Sequence, residues 1–406
     1  MKCRHCNQKL EHKFLDLGFA PPSNAYLTAD QLNKAEYYFP LRLFVCEGCW
    51  LVQTEDFADP EQLFTEDYAY FSSTSSSWLK HAKNYYGMIV EKLNLNHEKF
   101  VVEIASNDGY LLKSFVDGGI SCLGIEPTES TGRAAERIGI PVIHKFFGES
   151  LACALEEDGK QADLIIGNNV YAHVPDINDF TRGLKKLLKP KGTITLEFPH
   201  IMKLLEFSQF DTIYHEHFSY LSLHSAGLIF KKCGLRIYDV EELPTHGGSL
   251  RVYGCHVDDK RKTELSVTVL LQEEQKNGLR SLDYYYEFQG KVERIKNDLL
   301  MFLIDSKNEN KKIVGYGAAA KGNTLLNYAG IKSDLLPVIY DAAPSKQGKY
   351  MPGSHIEIKP PQDLMDDIPD CVLILPWNIK EELKGQLERD EIYAQFVTVI
   401  PTLEII

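Results

Sequence analysis

The chain has 406 residues, 44% of them hydrophobic and 25% charged, which is enough length and apolar content for two or three cores. Its formal net charge of -13 offers no general attraction to a polyanion, so bulk DNA or RNA binding is not expected. The stretch MKCRHCNQKLEHKF has no apolar signal core, and no later apolar run reaches the roughly 18 residues needed to cross a bilayer; a cytoplasmic protein without a membrane partner is expected.

The first elements are built around cysteine. Nine cysteines, an odd number, make a poor disulfide framework in a reducing compartment. Cys3 and Cys6 form CRHC, and Cys46 and Cys49 form CEGC; Cys122, Cys153, Cys233, Cys255 and Cys371 are scattered. Each CxxC brings two thiolates to one side of a tight turn, and two such knuckles complete a tetrahedral sulfur site for zinc. Redox dithiols or buried free cysteines are the alternative. A closed set of four thiolates leaves no open position for chemistry, so the metal is assigned a structural role. FPLRLFVC and WLVQ read as strands of a small β-rich zinc domain, taken as residues 1–71.

AYFSSTSSSW is polar and Ser-rich, a linker by composition, and leads into the helical pattern WLKHAKNYYGMIVEKL. From KFVVEIASNDGYLL to GTITLEFPH, short apolar runs alternate with amphipathic segments. That alternation predicts a doubly wound α/β domain over 72–260. LRIYDVEEL and SLRVYGCH, separated only by PTHGG, predict an antiparallel hairpin at the sheet edge.

Such a sheet binds ligand at the carboxyl ends of its strands. In EIASNDGYLL, Glu103 closes a strand and Asn107 to Gly109 make the turn, without the GxGxxG that lets a backbone approach a pyrophosphate. The ligand there need not carry phosphates, and Glu103 suits a cationic amine. In GIEP, Glu126 stands where an acid accepts both hydroxyls of a ribose; a solvated Glu before a turn is the alternative.

Further on, DTIYHEHFSYLS concentrates Tyr214, His215, Glu216, His217 and Tyr220. Its histidines are two apart, unlike HExxH, whose i, i+4 spacing puts both on one helix face, so a metal site is not expected. A satisfied polar loop and acid–base chemistry remain. For the latter, a His titrating near neutrality beside a Glu and a Tyr can take a proton and stabilise the oxyanion formed. After a charged helical stretch, KKIVGYGAAAKGNTLLNYAG reads strand, Gly-rich turn and helix, opening a smaller α/β domain over 261–406. Lys321 and Asn323 at that helix amino terminus suit a diphosphate, and a purely structural domain is equally open. Two rivals follow: a zinc-containing, NAD-dependent oxidoreductase acting on a nucleotide sugar, and a non-enzymatic zinc-ribbon scaffold.

The central segment resembles the class I methyltransferases that use S-adenosylmethionine, which implies a seven-stranded Rossmann-like sheet. The loop departs from the family's E/DxGxGxG. The resemblance implies donor contacts from Asp108, Gly109 and Glu126, joined by Glu103 and Asn107 of the same turn, and adenine contacts from Phe146 and Phe147. It turns Asn168, Asn169 and His173 of GNNVYAHV toward donor or acceptor. The ordered set CRHC, CEGC, YAYFSSTSSSW, EIASNDGYLL, NNVYAHV, YHEHFSYLS, HGGSLRVY and GYGAAAKGNTLLN resembles the sugar C-3 methyltransferases of deoxysugar biosynthesis along almost the whole chain. That resemblance implies a nucleotide-linked 4-ketohexose as acceptor and His217 as base. It also implies roles for Tyr214, Glu216 and His173, and for Tyr68 or Tyr70, which it does not separate. The chain is expected to act as a monomer.

Overall fold

The computed structural model describes residues 1–55, 57 and 71–406, so Tyr68 and Tyr70 lie outside the described residues. The amino-terminal strands are β1 (His12–Ala20), β2 (Phe39–Val45) and β3 (Val52–Thr54), paired antiparallel in that order. In β2 the alternation is plain: Leu41, Leu43 and Val45 are buried, and the residues between them are half-buried. A period of two turns one face to the core.

Within the Ser-rich stretch, the Ser75 hydroxyl accepts from the amide of Trp78 and caps the helix Ser76–Leu93. Asn94, in the left-handed conformation, stops it. The central strands follow: β4 (Phe100–Ile104), β5 (Ser121–Ile125), β6 (Val142–Ile143), β7 (Ala162–Asn168), β8 (Leu188–Pro199), β9 (Ser219–Tyr220), β10 (Leu235–Leu243) and β11 (Ser249–His256). Seven of them form one sheet in the order β10-β11-β8-β7-β4-β5-β6, parallel except for β11, which is antiparallel to both its neighbours. The predicted hairpin is present, with its second strand inserted between β8 and β10. Because β10 therefore runs with the parallel strands, the Pro244–Gly248 connection sits at the carboxyl edge of the sheet.

β9 does not join this sheet. It pairs antiparallel with β3, Val52 opposite Tyr220 and Gln53 opposite Ser219, and completes a four-stranded sheet β1-β2-β3-β9. The carboxyl-terminal sheet holds β12 (Ile313–Tyr316), β13 (Val338–Tyr340), β14 (Glu357–Lys359), β15 (Cys371–Ile374), β16 (Gln395–Thr398) and β17 (Glu404–Ile405). Its order is β14-β13-β12-β15-β16-β17, with only β17 antiparallel.

One continuous core runs through all three sheets, taking in Leu43 of β2, Ile165 of β7 and Leu373 of β15. The opposite faces pack separately: Leu164 and Ile166 belong to a second core, Val372 and Ile374 to a third. Successive residues of one strand thus serve two cores, as a parallel sheet covered on both faces requires. No helix among the described residues is long and apolar enough to cross a membrane.

Candidate active site

The two knuckles meet. Cys3 Sγ lies 3.5 Å from Cys49 Sγ, Cys6 Sγ lies 3.4 Å from Cys46 Sγ, and all four sulfurs fall within 4.8 Å of one another. Tetrahedral zinc with bonds of about 2.3 Å separates its sulfurs by about 3.8 Å, so donor type and spacing both fit that metal. Asn7 and Trp50, each following the second cysteine of its pair, are left-handed (φ 65° and 59°) and close the turns with bonds from Asn7 N to Cys3 O and from Trp50 N to Cys46 O. The site is structural zinc.

At the carboxyl edge of the central sheet lies a cavity of about 730 Å³ whose wall draws on all three regions: Asn24 and Tyr26, Trp78 to His246, and Ala319 to Asn378. On the side of β4 and β5, Glu103 is fully enclosed, and neither carboxylate oxygen has a hydrogen-bond partner among the described residues. Burial pushes its carboxyl well above the usual range, with the negative charges of Glu126, Asp108 and Glu197 adding to the effect. Both amide atoms of Asn168, at the end of β7, are likewise without partners. Asn168, on the cavity wall, offers its unsatisfied amide to the polar groups of a ligand, while Glu103 lies enclosed behind that wall.

Glu126 lines the cavity and is held in place by the backbone: Oε2 accepts from Asn107 N and Oε1 from Thr128 N, both at 2.9 Å. Each oxygen keeps a lone pair for a hydroxyl. Burial raises its pKa, and the two amides oppose that rise. The Ser-rich stretch is pinned to the same turn, since Ser72 N donates to Asn107 Oδ1 at 2.9 Å and Ser73 N to Asp108 Oδ2 at 3.1 Å. It covers the turn after β4, although composition alone reads it as a linker. Gly109 (φ +79°) is required here, because a Cβ would stand 2.3 Å from Ile140 Cδ1. Phe146, about half exposed, and Phe147, edge-on to Phe180 at 5.2 Å, line the cavity beyond β6. Glu103, within β4, and Asp108 and Gly109, in the turn that follows, are not on the lining itself and stand behind it.

Across the cavity stand Tyr214, Glu216, His217 and His173. His217 Nδ1–H donates to Thr212 O at 3.1 Å, which fixes the tautomer and leaves Nε2 with no hydrogen-bond partner among the described residues. The His217 ring lies 4.0 Å from that of Tyr214 and 4.5 Å from that of His173. His173 Nδ1–H donates to Glu216 O at 2.9 Å, and Asn24 Nδ2 reaches both carboxylate oxygens of Glu216 at 2.8 and 2.9 Å. Burial pushes His217 well below its ordinary pKa and His173 down to about 4, so both imidazoles are neutral at pH 7. His215 points elsewhere, with Nε2 against the carbonyls of Phe39 and Pro40.

Sequence reasoning missed several cavity residues. Trp78 stacks on His81 at 4.9 Å and packs 5.3 Å from His246. His246, left-handed at φ 54° in the hairpin turn, is bonded to Asn169 Nδ2 at 2.8 Å. A His between turn-forming residues at a strand end was the available signal. Asn24, Tyr26 and Lys346 had none. In the carboxyl-terminal region, Lys321 lines the cavity, donates to Asn378 Oδ1 at 2.8 Å and lies 4.5 Å over the Trp377 ring. Burial lowers its pKa to about 8. Asn323 is fully enclosed, bonded to Asn327 one turn along its helix, and does not line the cavity.

A seven-stranded sheet with an inserted antiparallel strand, carrying an acidic, amide-bearing pocket at its carboxyl edge, defines a class I methyltransferase. Family models match along the chain: a "Putative zinc binding domain" at residues 3–64, a "Methyltransferase domain" at 78–240 and a "C-methyltransferase C-terminal domain" at 244–401. The C-methyltransferase NovU of Streptomyces niveus is 31% identical over 406 residues, covering 100% of this chain and 96% of that protein. The chain belongs to this C-methyltransferase family, and it is an S-adenosylmethionine-dependent C-methyltransferase with a structural zinc site. The expected oxidoreductase and scaffold rivals give way to that membership. Among solved structures, magnesium protoporphyrin IX methyltransferase (ChlM) from Synechocystis PCC 6803 with bound SAM is 15% identical, covering 44% of this chain and 79% of that one at a TM-score of 0.34. PH0226 protein from Pyrococcus horikoshii OT3 is also 15% identical, covering 50% and 100% at 0.37.

Proposed function

We propose that the enzyme methylates C-3 of a nucleotide-linked 4-ketohexose, with His217 as the base that removes the C-3 proton. The tautomer of His217 carries this reading: Nδ1–H is committed to Thr212 O, so Nε2 offers its lone pair at the cavity wall. A hydrogen beside a ketone is acidic because the carbanion delocalises onto the ketone oxygen, and the imidazole that accepts it is neutral at pH 7. Tyr214 and His173, whose rings flank His217, are the candidates to steady the enolate. Bound S-adenosylmethionine supplies a methyl group on a cationic sulfur as the electrophile. Asn107, Glu126 and Asn168 hold that donor with Glu103 and Asp108 supporting them from behind the wall, Phe146 and Phe147 cover its adenine, and Asn169 supports His246 at the border with the acceptor. Lys321 faces the nucleotide diphosphate, in a chain that works as a monomer of three regions.

The test is a panel of nucleotide-linked ketosugars incubated with the donor and scored by the mass of one added methyl, alongside deuterium uptake at C-3 from heavy water. Methylation and exchange confined to 4-ketosugars are the expected result. Methyl gain on an oxygen or nitrogen, or at a carbon remote from the ketone, would overturn the reading.

A further inference from the structure

The segment from His215 to Tyr220 is held by the zinc domain at each of its six residues. His215 Nε2 meets the carbonyls of Phe39 and Pro40, and the Glu216 carboxylate accepts from Asn24. Thr54 Oγ1–H donates to His217 O at 3.0 Å, while Thr54 N donates to Phe218 O at 3.2 Å, an oxygen that also accepts from Arg4 Nε. Ser219 and Tyr220 are β9, paired with Gln53 and Val52.

The same strand touches the metal site. Gln53 Nε2 donates to Cys3 Sγ at 3.4 Å, and its Oε1 accepts from Arg4 N at 3.0 Å. Gln53 and Thr54, adjacent and both buried, therefore link a thiolate ligand to the carbonyl of His217. His217 closes a tight turn, its own N donating to Tyr214 O at 3.0 Å, so its ring direction follows its backbone. A misplacement of about 1 Å at a reacting group costs on the order of a hundredfold in rate.

We propose that the zinc domain is the mould of the catalytic loop, with Thr54 and Asn24 as positioning residues through which the metal sets the direction of His217. This rests on His217 being the base. Zinc then governs proton removal from the acceptor and leaves donor binding, built on β4, β5 and β7, untouched.

Thr54→Val removes the hydroxyl at nearly constant volume, and Thr54→Ser keeps it. Four quantities are measured on the full zinc-loaded protein: kcat, acceptor KM, C-3 deuterium exchange and the calorimetric Kd of S-adenosylmethionine. Amide hydrogen exchange of residues 215–220 is followed before and after chelation. The valine variant should lose about tenfold in kcat and in C-3 exchange, the scale of one lost buried hydrogen bond, with donor Kd unchanged, and the serine variant should recover. Chelation should raise amide exchange in 215–220 ahead of β4 and β7. Unaltered kcat in Thr54→Val, an equal fall in donor affinity, or no amide response to chelation would each overturn the mould. A His217→Asn variant run in parallel separates the two ideas: if it retains full C-3 exchange, the base assignment itself falls.

Discussion

The central and carboxyl-terminal sheets use the same device with opposite electrical outcomes. In each, a first strand leads through a turn into a helix, and a second strand beside it ends in an acid: β4 and β5 with Glu126, β12 and β13 with Asp341. Glu126 is steadied by two backbone amides and faces the cavity with lone pairs to spare. Asp341 is neutralised, with Oδ1 accepting from Ala343 N at 2.8 Å and Oδ2 paired with Lys346 at 3.2 Å. β4 and the turn after it add Glu103 and Asp108, whereas the turn after β12 adds Lys321 at the start of a helix whose Ala319 cap has no side-chain bond. One pocket end thus suits a cationic, hydroxyl-bearing donor and the other an anionic group. Strand topology fixes where ligands meet the sheet, and a few residues at the strand ends fix their charge.

The severest test strikes between the two ends. His217→Asn should reduce methylation by about 100- to 10,000-fold, the usual worth of a general base, and should abolish C-3 exchange while leaving donor affinity intact. His215→Asn should do far less, since its ring is turned to the Phe39 and Pro40 carbonyls. Full methylation by His217→Asn would move the proton acceptor to another group of the cavity.

Breaking the acidic end comes next. Glu126→Ala removes a double acceptor and should weaken donor binding by about 1.5 to 3 kcal/mol, the range for hydrogen bonds involving a charged group, with acceptor KM little altered. Calorimetry with S-adenosylmethionine decides it, and unchanged affinity would mean that the ribose lies elsewhere. At the basic end, Lys321→Ala should raise acceptor KM by about tenfold, near the lower edge of the same range, and leave donor Kd alone. An equal loss at both ends would erase the contrast.

The smallest effect is one of pH. Burial holds Lys321 near 8, so its charge is present at pH 7 and is lost as pH rises through that value. Acceptor KM should therefore climb between pH 7 and 9 while donor Kd stays level. Lys321→Arg, which keeps its charge throughout, should flatten the climb. A climb that persists in the arginine variant would point to a different titrating group.

What could be read from the sequence was local. CRHC and CEGC declare a metal because two thiolates on one tight turn need only neighbouring residues. The hydrophobic alternation gave the parallel core and its edge hairpin because one strand's two faces are written in adjacent letters. The grip of Asn24 on Glu216 and of Thr54 on His217 joins residues distant in the chain, and nothing near Asn24 or Thr54 marks them as polar for a purpose. Asn323 illustrates the reverse case: as a polar residue beside a glycine-rich turn it suggests a ligand contact, yet its side chain lies enclosed off the cavity lining, with Oδ1 accepting from Asn327 of its own helix. The Ser-rich stretch misleads in the same manner, since composition records its polarity and not the two amides it gives to Asn107 and Asp108.

The late arrival of β9 has a consequence for biosynthesis. β3 ends at Thr54, and its outer partner begins at Ser219, beyond most of the central sheet. As the chain emerges from the ribosome, the cysteine knuckles can collect their metal early. The β3 edge, with buried Val52 and its unpaired backbone groups, nevertheless stays open until the segment carrying Ser219 and Tyr220 has been made and folded back. An open edge of that kind recruits other strands. A polypeptide halted shortly after Thr54 should therefore be metal-loaded yet prone to self-association, and release of the segment through Tyr220 is the event that seals it.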